Sequence, residues 1–480
     1  MRRTFLLLGA VVLAITPAAA QRLHTLNPQD VEQAQSENAA LVQELGGAET
    51  GARAAYVAVV GRRVAAYSGI ASPSEELHFI TLNSAVENAF SVPGGYVYVT
   101  RQLMALMDDE SELAFALGHE VGHVAANHAH IREQYVEQSS GGMFGQIIGA
   151  IFGPGIADIF QARSRLNLLS FSREQEYEAD TLGVKYMTAA GYDPAGATRL
   201  LAALTRESAL QVRVEGRTNR QTPEWASTHP LSQNRMERTL AEAQATGRLG
   251  KGIRNRDAFL NELEGVYVDD DPAQGIIDGP TFTHPDLHIQ FSVPRGYLMS
   301  NGSDAVTISG SAGKAQFRQG PPGLARAISF AFLQLTGNSV QVPYPAPQQT
   351  MINGMPAAFT TARVETNAGL IDASVVAYQW DLQRVYYFVM LTPGGSGLGP
   401  FLPMIQSLRR ITPAQAAAIR PRVIHIETVR PGDTAQSLSN RMAYRDFKLE
   451  RFLSLNGLST NGALVPGQRV KLVVYGTRRS

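Results

Sequence analysis

Two histidines four residues apart, with a glutamate directly after the first, stand at His119, Glu120 and His123. On a helix, side chains at i and i+4 share a face, so both imidazoles can aim at one metal ion. Glu120, one residue round the turn, can reach a water on that ion without ligating it. The chemistry such a trio supports is hydrolysis by a zinc-activated water. Asp109, three residues ahead of Glu112, resembles the pair that starts a helix, and Leu113, Leu117, Val121 and Val124 give that helix an apolar face. Imidazoles carried into a core need partners for their polar atoms, which favours a metal over a solvated surface helix.

Two imidazoles do not complete a catalytic zinc site, which takes three protein ligands and keeps one position open. A metzincin would place a third histidine six residues after the second, where this chain has Ala129, and a glycine where it has Ala126. His128 is one residue out of step and falls off the ligand face, so it reads as a packing or polar contact. The carboxylate-dense helical run over 172–183 offers Glu174, Glu176 and Glu178. Spacing alone leaves the choice among those three open.

Together, His119-Glu120-Val121-Gly122-His123 and Ser172-Arg173-x-x-Glu176-x-x-Ala179-Asp180 resemble the gluzincin metallopeptidases of the CAAX prenyl protease type, especially their soluble periplasmic branch. The segment 88–100, with Asn88, Phe90 and Gly95, is similar to the strand and turn ahead of that family's zinc helix. Ser227-Thr228-His229-Pro230 with Arg235 matches its later His-Pro element, so the resemblance covers roughly residues 30–245. It implies one zinc per chain, held by His119, His123 and Glu176, with Glu120 as the catalytic base. It also implies that Asp180 orients a histidine or the ligand helix, that Arg235 orients a carboxylate, and that His229 either donates to the oxyanion or occupies the open position as a latch. The family's prenyl-substrate branch is embedded in membrane by several spans. This chain has none, so cleavage of lipidated peptides is not carried over.

The elements that must position these residues divide the chain into three parts behind a leader. Residues 21–250 read as the metallopeptidase domain, with a helical stretch over 28–45, strand-like runs over 54–67, 78–82 and 96–100, and then long helices. Residues 251–421 read as a linker and a strand-rich accessory domain. In it, His284 and His288 lie on a strand pattern and do not form a helical metal pair, and the glycine cluster over 394–399 reads as a plain turn. Residues 422–480 resemble a LysM domain through Pro431-Gly432-Asp433-Thr434, Asn456-Gly457 and Val465-Pro466-Gly467. The expected fold class is α+β: a mainly helical zincin catalytic domain with a small sheet, a strand-rich α+β middle domain and a small LysM-like βααβ domain.

Arg2 and Arg3 precede an apolar run over 5–15, then Pro17 and three alanines, so residues 1–20 read as a signal peptide. The Arg2-Arg3 pair suits Sec or twin-arginine export, and the expected location is the periplasm. The run is about half of the roughly 20 residues a membrane span needs. The apolar stretch 141–160, interrupted by Gln146, Pro154 and Asp158, is not a span either. It reads equally as a flap or membrane-touching loop near the site and as a buried connection, so membrane association without a mature span stays open.

Lysine plus arginine and aspartate plus glutamate each number 42, which gives no global pull towards nucleic acid. With no cysteine, disulfides, thiolate zinc ligands and a cysteine nucleophile are excluded. The expected partners are unfolded or misassembled protein substrates, paired along a strand edge at 88–90, and peptidoglycan bound by the LysM-like tail. Two rival readings are a non-catalytic periplasmic chaperone or scaffold and a peptidoglycan-binding protein whose essential part is the tail.

Overall fold

The computed structural model of the chain describes residues 24–128, 171–214, 229, 232–302, 304–335, 342–366, 369–459 and 462–478. The leader over 1–20, the stretch 141–160 and the residues flanking His229 in the His-Pro element lie outside them.

The chain opens with α1 (Pro28–Glu44), α2 (Ala52–Ala65) and the single turn α3 (Pro73–Glu76). The reading of 54–67 as a strand is corrected here. Val57, Val60, Gly61 and Val64 are buried at the spacing of one helical face, and that burial outweighs the strand preference of the valines. A small sheet follows from β1 (His78–Leu82), β2 (Ala89–Val92) and β3 (Tyr96–Thr100), ordered β1-β3-β2. Strand β3 runs parallel to β1 and antiparallel to β2, which leaves β2 at an edge.

Helices α4 (Arg101–Leu106), α5 (Glu110–Ala125), α6 (Arg173–Ala189), α7 (Ala195–Val214) and α8 (Gln233–Ala245) complete this part. Helix α5 is buried from Glu110 to His123, because α2, α6, α7 and strand β2 all pack on it. Its crossing with α6 is made of small residues. A Cβ on Gly118 would stand 3.3 Å from the Gly183 carbonyl, one on Gly183 would stand 3.0 Å from the His119 nitrogen, and Gly122 faces Ala179. Side chains this small let the two backbones approach closely.

Helix α9 (Arg256–Leu263) and strand β4 (Tyr267–Val268) lead to the strand-rich part. It contains β5 (Ile276–Asp278), β6 (Thr281–His284), β7 (Ile289–Ser292), β8 (Leu298–Asn301), β9 (Ala305–Gly310), β10 (Gly313–Gly320) and α10 (Leu324–Gln334). It continues through β11 (Gln348–Ile352), β12 (Met355–Thr366), β13 (Gly369–Gln379), β14 (Val385–Pro393), α11 (Leu402–Ser407), β15 (Arg409–Arg410) and α12 (Pro413–Ala417). An antiparallel sheet β11-β12-β13-β14-β10-β9-β8 is covered on both faces. Val375 and Ala377 pack with α10, while Val376 and Tyr378 pack with the second sheet, β15-β7-β6-β5. Cover on both faces explains the continuous apolar runs of β13 and β14.

The tail is β16 (Arg422–Thr428), α13 (Ala435–Ser439), α14 (Lys448–Leu455) and β17 (Arg469–Tyr475), the expected βααβ order. It is not set apart from the helical part. Strand β4 extends its sheet to β17-β16-β4, and Phe259, Leu260 and Leu263 of α9 share one core with Leu204 of α7 and with Ile424, Val470 and Leu472 of the tail. Residues 256–268 thus sit in this joint core, because α9 turns its apolar face into the tail and not to solvent. Among the described residues no helix is long and apolar enough to cross a membrane.

Candidate metal centre

The site is assembled on α5 and α6. Asp109 caps α5, its side chain accepting from the Ser111 nitrogen at 3.0 Å, and Glu112 in the first turn accepts from the Asp108 nitrogen at 3.2 Å. Helix α6 starts with a capping box between Ser172 and Gln175. Of its three candidate carboxylates, Glu174 and Glu178 are exposed and Glu176 is buried. The stripe Glu176, Ala179, Asp180 and Gly183 is the face that meets α5, so the helix crossing turns Glu176 inwards.

Four side-chain donors converge. His119 Nε2 lies 3.0 Å from His123 Nε2 and 3.2 Å from His229 Nδ1, and His229 Nδ1 lies 2.9 Å from Glu176 Oε1. Glu176 Oε2 is 3.6 Å from His119 Nε2, and Glu176 Oε1 is 3.6 Å from His123 Nε2. All four side chains are buried, and their donor atoms lie within 4.8 Å of one another. A tetrahedral zinc with bonds of about 2.0–2.1 Å has edges of about 3.3 Å between its ligand atoms. The donor set, three imidazole nitrogens and one carboxylate with these spacings, fits one zinc ion.

The remaining atoms of the ligands are held from behind. His119 Nδ1 stands 3.0 Å from Asp180 Oδ1, which places the proton on Nδ1 and leaves the Nε2 lone pair towards the centre. Arg235 on α8 donates to both oxygens of Asp180, reaches Glu176 Oε2 at 2.9 Å and donates to the His229 carbonyl at 3.1 Å. His128 Nδ1 lies 2.9 Å from His123 Nδ1, and its Nε2 lies 3.2 Å from Glu178 Oε2. His128 therefore backs a ligand, the polar contact expected of it. Phe171 stacks on the His123 ring with centroids 3.9 Å apart.

Charge follows burial and neighbours. Burial, followed by the surrounding imidazoles, pushes His123 well below the usual histidine range, which keeps it neutral and able to donate a lone pair. Burial opposes ionisation of Asp180, yet Arg235 and His119 outweigh it and hold the carboxyl well below its ordinary value. Burial likewise opposes the charged forms of Glu176 and His229. The partners His229 and Arg235 nevertheless lower Glu176, while Glu176 and Glu120 raise His229.

Glu120 lies beside this group. One carboxylate oxygen accepts the Ser91 hydroxyl at 3.1 Å and the other lies 3.4 Å from His229 Nε2. Ser91 belongs to the edge strand β2, and with Val92, His123, Val124 and Phe171 it lines a cleft of about 230 Å³. Neither Phe171 nor Ser91 was identifiable as a site residue from local spacing, although Ser91 sits inside the family-like segment 88–100.

His284 and His288 stay apart from any such group. His284 Nδ1 accepts from the Leu287 nitrogen, and His288 Nδ1 faces the Ile411 carbonyl. The Gly394–Gly399 cluster is a turn whose Gly395 and Gly397 nitrogens donate to Asp372.

Residues 51–243 match peptidase family M48, and residues 428–473 match the LysM domain. The beta-barrel assembly-enhancing protease of Escherichia coli (strain K12) is 30% identical over 190 residues, 38% of this chain and 37% of that one. The mitochondrial metalloendopeptidase OMA1 of Schizosaccharomyces pombe is 31% identical over 201 residues, 39% of this chain and 53% of that one. OMA1 of Saccharomyces cerevisiae is 26% identical over 162 residues, 34% of this chain and 45% of that one. The chain thus spans 37% to 53% of the length of these relatives.

Proposed function

From the premise that residues 51–243 match peptidase family M48 and residues 428–473 match the LysM domain, we propose that this chain is an exported zinc endopeptidase acting on unfolded or misassembled envelope proteins. The observation that carries the reading is the convergence of His119, His123 and Glu176 with Glu120 directly beside them.

His119, His123 and Glu176 would hold zinc, which when bound would supply a Lewis acid for the scissile carbonyl and bring the pKa of water to about 7. Glu120 takes the proton from the attacking water and returns it to the departing amine. Ser91 steadies one oxygen of that carboxylate, which leaves the other for the proton. His229 converges with the three expected ligands as a fourth buried donor, so on a bound metal it would occupy the position a catalytic site leaves open and act as a latch. Its displacement would free that position for water.

Strand β2, the outer strand of its sheet among the described residues, would offer main-chain donors and acceptors to an extended substrate beside Glu120. Edge pairing reads backbone more than side chains, which favours unfolded chains. The envelope location rests on the leader-like residues 1–20 and on the E. coli relative, whose name concerns β-barrel assembly. The LysM domain gives peptidoglycan as a second partner.

The test is zinc analysis of the purified chain together with casein digestion by wild type and Glu120→Gln. One zinc in both, with hydrolysis in the wild type alone, supports the reading. Equal hydrolysis by the two would falsify the role of Glu120. A non-catalytic chaperone predicts that prevention of aggregation survives in Glu120→Gln without any hydrolysis in the wild type.

A further inference from the structure

One side chain of the LysM domain reaches the turn that precedes the metal-bearing helix. Lys471 on β17 is fully buried, and its Nζ donates to the carbonyls of Ala105 at 3.0 Å and Met107 at 2.7 Å and pairs with Asp108 Oδ1 at 3.2 Å. Three acceptors match the three N–H donors of an ammonium, which is what a buried lysine needs to stay charged. Successive side chains of a strand point to opposite faces, so a LysM module standing alone would turn either Lys471 or its apolar neighbours Val470 and Leu472 to solvent. Here all three are buried, because the peptidase part covers the second face.

The oxygens that Lys471 gathers belong to the turn between α4 and α5. Ala105 and Met107 close the end of α4, and Asp108 immediately precedes Asp109, the cap of α5. The same turn is tied to α5 by the bond from the Asp108 nitrogen to Glu112. On the LysM side, Asn456 clamps the strand at this point, its Oδ1 accepting from the Lys471 nitrogen at 2.7 Å and its Nδ2 donating to the Lys471 carbonyl at 2.9 Å. At 1.5 Å per residue, His119 stands about 15 Å along a rigid helix from Asp109.

We propose that Lys471 is a positioning residue for α5: the LysM domain sets the start of the metal-bearing helix and is part of the catalytic unit, not a separable tether. The inference builds on the endopeptidase reading but does not depend on activity for its test. A tilt at the start of α5 is carried to His119 and His123, and displacements near 1 Å at a reacting centre cost up to about a hundredfold in rate.

The experiment compares the full chain with Lys471→Met, which keeps the stem and removes the charge. Cobalt(II) is loaded in place of zinc, and its visible absorption, far-ultraviolet circular dichroism, and kcat and KM on a peptide substrate are measured. The expected result is a folded variant with an altered cobalt spectrum and kcat about tenfold to a hundredfold lower at a KM within about twofold. A wild-type cobalt spectrum and wild-type kcat, with only a lower unfolding temperature, overturn the proposal. If Lys471→Met does not fold, Asp108→Asn/Lys471→Met removes the unpaired charge as well and takes its place, with the same outcomes. Failure of both to fold also overturns it, since Lys471 then serves the fold as a whole. Should the wild type hydrolyse nothing, the endopeptidase reading falls while the cobalt spectra still decide the role of Lys471.

Discussion

Arg235 grips Asp180 with two hydrogen bonds, Nε to Oδ2 at 2.6 Å and Nη2 to Oδ1 at 2.8 Å. Asp180 passes that hold to His119, whose Nδ1 lies 3.0 Å away. The orientation of His119 is therefore set from a helix that carries none of the four converging donors. Asp180→Asn is expected to weaken zinc binding about 10–100-fold, as removal of such a partner does elsewhere. Competition with a chelator measures it, and unchanged affinity would count against the orienting role.

Arg235→Met should damage the fold as well as the metal. It strands two buried carboxylates, Glu176 and Asp180, and breaking a buried ion pair from one side costs about 3–5 kcal/mol. Urea unfolding of the metal-free chain reads this directly.

His229 is the group whose removal should speed the reaction. With His229→Ala three protein ligands remain, which is enough to hold zinc and leaves the fourth corner to water. Casein hydrolysis is expected to rise while zinc stays stoichiometric. Slower hydrolysis would identify His229 as an oxyanion donor and not a latch.

Gly183→Ala tests the helix crossing. Its new Cβ would stand 3.0 Å from the His119 nitrogen, so α5 and α6 must separate slightly. Overpacking of this kind costs about 1–3 kcal/mol, and the separation draws Glu176 away from the imidazoles. A lower unfolding temperature together with weaker zinc binding is the expected pair of readings.

Acid should loosen the strand-rich part through His284, which burial lowers from 6.5 to about 4. Between those values the unfolded chain binds the proton and the folded one does not. Stability contributed by the neutral ring is thus present above pH 6.5 and lost as the pH falls towards about 4. His284→Gln should flatten the fall of the unfolding midpoint over this window, measured by tryptophan fluorescence from Trp380.

Much of the site was legible in the residues because its decisive spacings are local. His119, Glu120 and His123 lie within one helical turn, and a helix of 3.6 residues per turn leaves little freedom in how they face. The βααβ tail was legible for a similar reason, since its turn and cap signals sit next to the elements they shape. Residues 52–65 misled because valine-rich alternation and a helical face overlap in so short a run, and only burial separates them.

What the sequence by itself determined is the set of groups for the chemistry: two imidazoles and a carboxylate in helical register, with a carboxylate-rich helix to follow. Spacing left open which carboxylate turns inwards and only the resemblance pointed to Glu176; the tertiary structure buries it, because that depends on how α6 rotates against Gly118 and Gly122. It also brought His229 into the buried donor group and Lys471 onto the turn that precedes α5. The physical reason is that these contacts join segments 53 to 366 residues apart, and their partners are chosen by packing and desolvation, not by spacing along the chain.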